Sequence, residues 1–390
     1  MRKKVAILVE SSRAYGRGVL AGIASYTHAH RDWSIYFHER ALGEAVPSWL
    51  ESWQGDGIIT RAEHPNLIEY LKATSIPAVD LRGLQNLPHI PLVETNDEAV
   101  VRLAFDELQR RGFRRFAYCG FEGANWSRRR MRFLASMLAE LDLPLATIES
   151  PHLETLDTSR IEVTGSMQEE ELAQWLSSLD KPIGVIACND IRALQLLNAA
   201  RECQIEVPDE VAVVGIDNDT VLCSLAEPPL SSVEHDLRRI GHEAAALLAR
   251  MMEGESATES RILVDPLRVM VRQSSDVLAI RDVEVAAAMK FIRKQACLGI
   301  SVDDVVAAVP VSRSTLERRF MKSVGRSIKD EINRVRILRI KELLIHTDHK
   351  LAAIAAKAGF THAEYMNVVF KEAVGVTPGQ YRRELGQQVL

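Results

Sequence analysis

At 390 residues, with 47% hydrophobic and 26% charged side chains, the chain is long enough for two or three domains, each with its own core. No apolar run approaches the roughly 18 residues that span a bilayer, and the run Val5–Val9 behind Met1-Arg2-Lys3-Lys4 is too short for a secretory leader. A cytoplasmic protein with no membrane partner is expected. The net charge of −5 conceals an asymmetry: residues 281–390 hold 19 Lys and Arg against 12 Asp and Glu, leaving 29 against 41 for residues 1–280. A basic module behind an acidic one suits a polyanion-binding domain carried by something that does not touch the polyanion.

From the start of the chain to about residue 275, short β-like runs alternate with helical stretches, the pattern of parallel α/β sheets. The predicted strands are 4–9, 33–38, 56–60, 115–119, 182–187, 211–216 and 267–271, and helices are predicted over 97–111, 128–141, 191–203 and 237–252. That is enough for two doubly wound subdomains. Gly16, Gly18 and Gly22, with Glu39 ending the next strand, imitate a dinucleotide fingerprint. The first glycine stands seven residues beyond Val9, too far for the tight turn a pyrophosphate needs, so the glycines read instead as close helix–sheet packing. No nucleotide or other cofactor is expected. Cys119, Cys188, Cys203, Cys223 and Cys297 are scattered and odd in number, which indicates reduced thiols. His28 and His30, and His346 and His349, lack acidic or cysteine partners nearby in sequence, so no metal site is expected. The polar stretch Arg272–Asp276 reads as the start of a linker, placed at 276–284, after a sensor module of residues 1–275.

Beyond it, residues 285–390 turn wholly helical. Ser301 with Asp304 predicts a capping box opening a helix over 302–308, stopped by Pro310; Ser312 then caps a helix over 313–322 before Gly325. Helix, short turn and helix make one helix-turn-helix outline, 302–322. Leu316 and Phe320 should face its core, leaving Arg313, Ser314, Glu317 and Arg318 towards base edges. A second outline follows at 351–372: Leu351, Ile354, Ala355 and Ala358 form a stripe, Gly359 the turn, and a helix runs from His362 to Ala373. Its outward residues are His362, Glu364, Asn367 and Val368. Between them an amphipathic helix over 329–346 spans about 25 Å, which suits two recognition helices in successive major grooves roughly 34 Å apart.

The run Ser314–Phe320 with Gly325, then Arg336, Leu343-Leu344, Ile354-Ala355, Gly359-Phe360, Phe370-Lys371, Gly375–Pro378 and Tyr381-Arg382 resembles the AraC/XylS family of regulators over about residues 283–385. Met366 stands where an aromatic is common, and Glu317 puts an acid on the DNA face, able either to accept from cytosine N4 or to hold a neighbouring Arg. The resemblance implies direct-repeat DNA half-sites, a homodimer, and activation of transcription with RNA polymerase as partner.

Residues 4–272 resemble the sensor domains of LacI-type repressors and periplasmic sugar-binding proteins, through Thr95-Asn96-Asp97, Gly112–Ala117, Ala187–Leu194, Val213–Asn218, Pro229–Val233 and Ile240-Gly241. The implied fold is a two-subdomain α/β sensor ahead of an all-α DNA-binding domain, with chain crossings near 112–114, 234–236 and 265–267. By resemblance, Arg130, Asn189 and Asp217 stand where the family contacts its effector, with Trp126, Tyr15, Glu39 and His235 as wall or cleft residues. Asn189 reads equally as a helix N-cap and Asp217 as a turn residue. The join of the two modules resembles the xylose-responsive regulators and implies D-xylose or a related aldopentose as inducer. The competing readings are an NAD(P)-dependent enzyme with a helical appendage and a constitutive DNA-binding protein with a vestigial sensor; no catalytic constellation rises above chance.

Overall fold

A computed structural model describes residues 2–85, 87–153, 155, 157–166, 168–255, 260–277, 280 and 282–388, and the side chains of these up to residue 383. The chain divides into two units, Met1–Val277 and Leu278–Leu390.

In the first unit, β1 (Lys3–Leu8), α1 (Ala14–His30), β2 (Trp33–Phe37), β3 (Gly57–Thr60), α2 (Pro65–Ala73), β4 (Ala78–Asp80) and β5 (Leu92–Thr95) build one subdomain. The chain then enters a second: α3 (Asp97–Arg110), β6 (Phe116–Phe121), α4 (Asn125–Glu140), β7 (Leu145–Ser150), α5 (Thr158–Ser166), α6 (Glu169–Ser178), β8 (Ile183–Ala187), α7 (Asp190–Glu202), β9 (Val211–Ile216), α8 (Thr220–Leu225) and β10 (Ser231–Glu234). It returns for α9 (Leu237–Met252) and β11 (Arg261–Val264), and crosses a last time to β12 (Arg268–Met270). The sheets run β11-β5-β4-β3-β1-β2 and β12-β10-β9-β8-β6-β7. All pairings are parallel except β10 with β12. Helices cover both faces, so β3, β6, β8 and β9 are buried at every residue and need continuous apolar runs.

Two expectations change here. The first crossing lies at Thr95–Asp97, not at 112–114: α3 packs on β8, β9, β10 and β12 of the second sheet, with Leu108 fully buried against Gly184. Gly112 is only the turn that ends α3. Gly16 meets the backbone of Glu10 just past β1, as close helix–sheet packing requires, whereas Gly18 and Gly22 serve helix–helix packing against α9. A Cβ on Gly22 would sit 2.1 Å from the Arg238 carbonyl, and one on Gly241 would sit 2.0 Å from the Val19 carbonyl, so α1 and α9 touch backbone to backbone. Gly16 already lies inside α1, which leaves no phosphate-cradling loop.

The stretch Arg272–Asp276 is no solvated tether. Ser274 and Ser275 are fully buried, Ser274 Oγ donates to the Val213 carbonyl at 2.6 Å, and Arg272 Nη1 donates to the Leu230 carbonyl at 2.7 Å. Asp276, at the start of the expected linker, takes Arg111 at 2.5 Å. Residues 278, 279 and 281 of that linker lie outside the described residues; Asp282 caps the next helix.

The second unit is helical: α10 (Val283–Gln295), a 3-10 turn (Ala296–Leu298), α11 (Val302–Ala307), α12 (Arg313–Val324), α13 (Ile328–His346), α14 (Leu351–Lys357), α15 (Ala363–Val374) and α16 (Pro378–Gln388). Ser301 and Asp304 form the expected capping box, and Ser327 with Asp330 repeats the device at α13. Two cores result. Leu316 and Phe320 pack with Val305, Ile292 and Ile332; Met366 and Phe370 pack with Ile354, Ile340 and Leu344. Helix α13 contributes to both, and Arg336 ties them. Arg336 of α13 donates to the carbonyls of Ala296 (2.9 Å) and Ile300 (2.8 Å) and lies over the Phe360 ring, while Gly359 abuts the same 3-10 turn.

Candidate ligand cleft and nucleic-acid interface

The carboxyl ends of the strands in both sheets open on one cleft, where ligands of open α/β sheets sit. Its cavity of about 100 Å³ holds several times the ~10–15 Å³ that one water needs. Tyr15, Arg61 and Thr95 enter from the first subdomain, and Trp126, Arg130, Glu162, Asn189 and Asp217 from the second.

Asp97 organises one wall. Its carboxylate accepts from Arg130 Nε at 2.8 Å and from Arg129 Nε at 2.9 Å. Burial alone pushes this carboxyl upward, but the Arg130 and then the Arg129 guanidiniums outweigh it and hold it below the usual carboxylate range. Arg130 Nη1 also donates to the Cys188 carbonyl at 2.6 Å, and its guanidinium lies 5.1 Å over the Trp126 ring. Its Nη2 has no protein partner among the described residues. The arginine is therefore locked by two of its nitrogens and offers the third.

On the same subdomain, Asp217 follows β9 with a left-handed backbone, φ +113°. Its Oδ1 accepts from His235 Nε2 at 3.1 Å, leaving Oδ2 without a protein donor among the described residues. His235 is buried and also meets Tyr15 edge-on, 5.7 Å between centroids. It stands behind Asp217 rather than on the cleft surface. Asn189 both caps α7 through Arg192 N (2.9 Å) and donates to Glu162 at 3.0 Å, so the capping residue also lines the cleft. Glu162 in turn holds Arg13 at 2.7 Å. Asp190 lies beneath, accepting from Ser232 Oγ at 2.6 Å; burial, then the Asp217 charge, raises its carboxyl above the ordinary range. Glu39 is corrected: it lies two residues past the edge strand β2, is exposed, and does not line the cleft.

Such a site suits a small polyhydroxy molecule. A carboxylate oxygen and a guanidinium nitrogen, each fixed by its own partners, match adjacent hydroxyls, and Trp126 supplies an apolar wall.

In the helical unit, Arg313, Ser314, Glu317 and Arg318 are exposed on α12. Glu317 holds Arg313 (2.9 Å), which also reaches Asp303 (2.6 Å), so the acid on this face is paired within the protein. Arg318 has no partner among the described residues. On α15, Glu364 and Val368 are exposed and His362 precedes the helix, but Asn367 is half-buried with its Oδ1 enclosed and unpartnered.

Residues 4–98 match the XylR N-terminal domain family, 105–275 the periplasmic binding protein-like domain family and 305–384 a helix-turn-helix domain family. The xylose operon regulatory protein of Escherichia coli (strain K12) is 33% identical over 391 residues, covering 98% of this chain and 97% of that one. The protein of the same name from Haemophilus influenzae is 32% identical over 387 residues, 97% of this chain and 98% of that one.

The chain belongs to the xylose operon regulator family.

A solved structure of a xylose-binding transcription activator, XylR, covers 98% of both chains at 31% identity with a TM-score of 0.76. This member of the family is thus a helix-turn-helix regulator of transcription and not an enzyme, and the nicotinamide reading falls with it. The boundary between the two matched sensor families, 98 to 105, falls inside α3, just past the crossing at Thr95–Asp97. Sequence reasoning in this regulator missed Arg61, Asp97, Arg129 and Glu162. Asp97 alone left a signal, since it follows Asn96 at a helix start; the others read as solvated charges until the fold buries them.

Proposed function

We propose that this regulator takes D-xylose, or a related aldopentose, into the cleft between its two sheets and changes its DNA affinity in response. The single observation behind this is that Arg130, with two nitrogens fixed and one spare, and Asp217, with one oxygen fixed and one spare, line the same cleft beside Trp126. That its relatives are xylose operon regulators supplies the pentose. Asn189, Tyr15 and Thr95 complete the ligand set, and His235 acts through Asp217. A homodimer placing its helix-turn-helix pairs on repeated half-sites, and recruitment of RNA polymerase, belong to the same proposal. Sugar acts only through the difference between its affinities for the two states of the protein.

A thermal-shift screen of the full chain against D-xylose, L-arabinose, D-ribose and D-glucose tests this. A sugar present at 100 times its Kd adds about 2.7 kcal/mol, or roughly 5–10 °C for a unit of this size. No shift with any pentose overturns the ligand reading. A shift without any change in DNA affinity favours the constitutive alternative.

Arg318→Ala is expected to weaken binding to the selected DNA sequence by about 1–3 kcal/mol while leaving scrambled DNA nearly unaffected. Equal losses on both in an anisotropy titration would assign Arg318 to a phosphate instead.

A further inference from the structure

The two helix-turn-helix units are copies in register. Leu316 and Met366 are fully buried, as are Phe320 and Phe370, and each second helix ends at a left-handed glycine, Gly325 (φ +76°) and Gly375 (φ +87°). Counted back from those glycines, Arg318 of α12 and Val368 of α15 hold the same position, and both are exposed.

Their chemistry differs. The first unit presents a guanidinium with no partner among the described residues. The second presents the two methyl groups of a valine, 53% exposed, beside Tyr365, 51% exposed. The core side of α15 is supplied by Met366, Val369 and Phe370, and Tyr365 meets the buried Phe360 ring edge-on at 6.0 Å, so Val368 is the apolar residue that packing does not call for.

We propose that the two units read different bases at equivalent steps: Arg318 a guanine, and Val368 with Tyr365 the 5-methyl group of a thymine. Guanine O6 and N7 accept from arginine in the major groove, and the thymine methyl is the apolar group that the groove displays. With recognition helices in successive major grooves, the guanine and the thymine lie about 10 base pairs apart on one face of the duplex. This rests on the reading of α12 and α15 as the DNA-facing helices.

The test selects double-stranded DNA from a random library with the full-length protein, then replaces each thymine of the selected site in turn by deoxyuridine, which lacks only the methyl group. Replacement at one thymine, about 10 base pairs from an essential guanine, is expected to weaken binding by about fourfold, the worth of one buried methyl-sized group. Val368→Ala loses a similar factor on the thymine site and nothing further on the deoxyuridine site. Arg318→Ala loses the guanine preference and keeps the thymine effect. The proposal is overturned if no thymine responds, or if the Val368→Ala and deoxyuridine losses multiply as independent effects. A protein that enriches no sequence overturns the DNA-facing assignment itself, a distinct result.

Discussion

Asp217→Ala is expected to lower the affinity for D-xylose by at least about 100-fold while leaving sugar-free DNA binding unchanged. Asp217 Oδ1 is engaged by His235, so Oδ2 is the atom offered to a hydroxyl, and hydrogen bonds to charged groups contribute about 1.5–3 kcal/mol each. Removing the carboxylate also leaves the buried His235 ring without its acceptor. Alanine is poorly suited to φ +113°, so Asp217→Asn serves as the companion: asparagine tolerates left-handed backbone better and retains an oxygen for His235. It should lose about tenfold through charge alone. Calorimetric titration of both variants with D-xylose reads the outcome. An Asp217→Ala protein that binds xylose with unaltered affinity removes Asp217 from the ligand set.

Gly359→Ala is expected to reduce affinity for the selected DNA by about 10²-fold or more. Gly359 has φ +78°, and a Cβ there would lie 2.7 Å from the Ala296 carbonyl oxygen and 2.9 Å from backbone atoms of Cys297 and Gly299. None of these is a flexible side-chain end, so the turn between α14 and α15 must move away from the 3-10 turn before α11. That is the place where Arg336 ties the two cores. Two linked modules gain 10²–10⁴ in affinity only while geometry lets both engage. An anisotropy titration over a salt series should therefore show weaker binding and a shallower salt dependence, since fewer phosphates are contacted. Unchanged affinity and slope would show that the two units do not need this fixed relation.

The helix-turn-helix units were legible because their signals are local. Ser301 with Asp304, Ser312, Gly325 and the Leu316/Phe320 spacing each act within a turn or two of helix. Strands buried on both faces, such as Val211–Ile216, were equally plain as apolar runs. The short strands Ala78–Asp80, Leu92–Thr95 and Ser231–Glu234 were not, because they carry Asp80, Glu94, Thr95, Ser231 and Ser232. These polar residues are buried because donors satisfy them, several from distant parts of the chain: Asp80 takes the backbone N–H of Ala62 beside that of nearby Gly83, and Glu94 takes Arg129 and Arg261. Glu317 was left between two roles, and Arg313 in the folded unit decides for pairing.

By itself the sequence determined the paired helix-turn-helix units, the α/β sensor ahead of them, and Arg130, Asn189 and Asp217 as residues worth placing in a cleft. Periodicity, caps and glycines suffice for the helical units and the alternating strands and helices, since each acts over a few residues; the three cleft residues came from the resemblance to sugar-sensor domains. Only the tertiary structure decided where the chain crosses between subdomains, that Arg129 and Arg130 share Asp97, that His235 backs Asp217, and that Glu39 stands apart. Those relations join residues from 18 to 58 positions distant, as Asp217 to His235 and Arg130 to Cys188. Burial sets their chemistry, because a charge taken out of water must find its partner wherever the fold brings one.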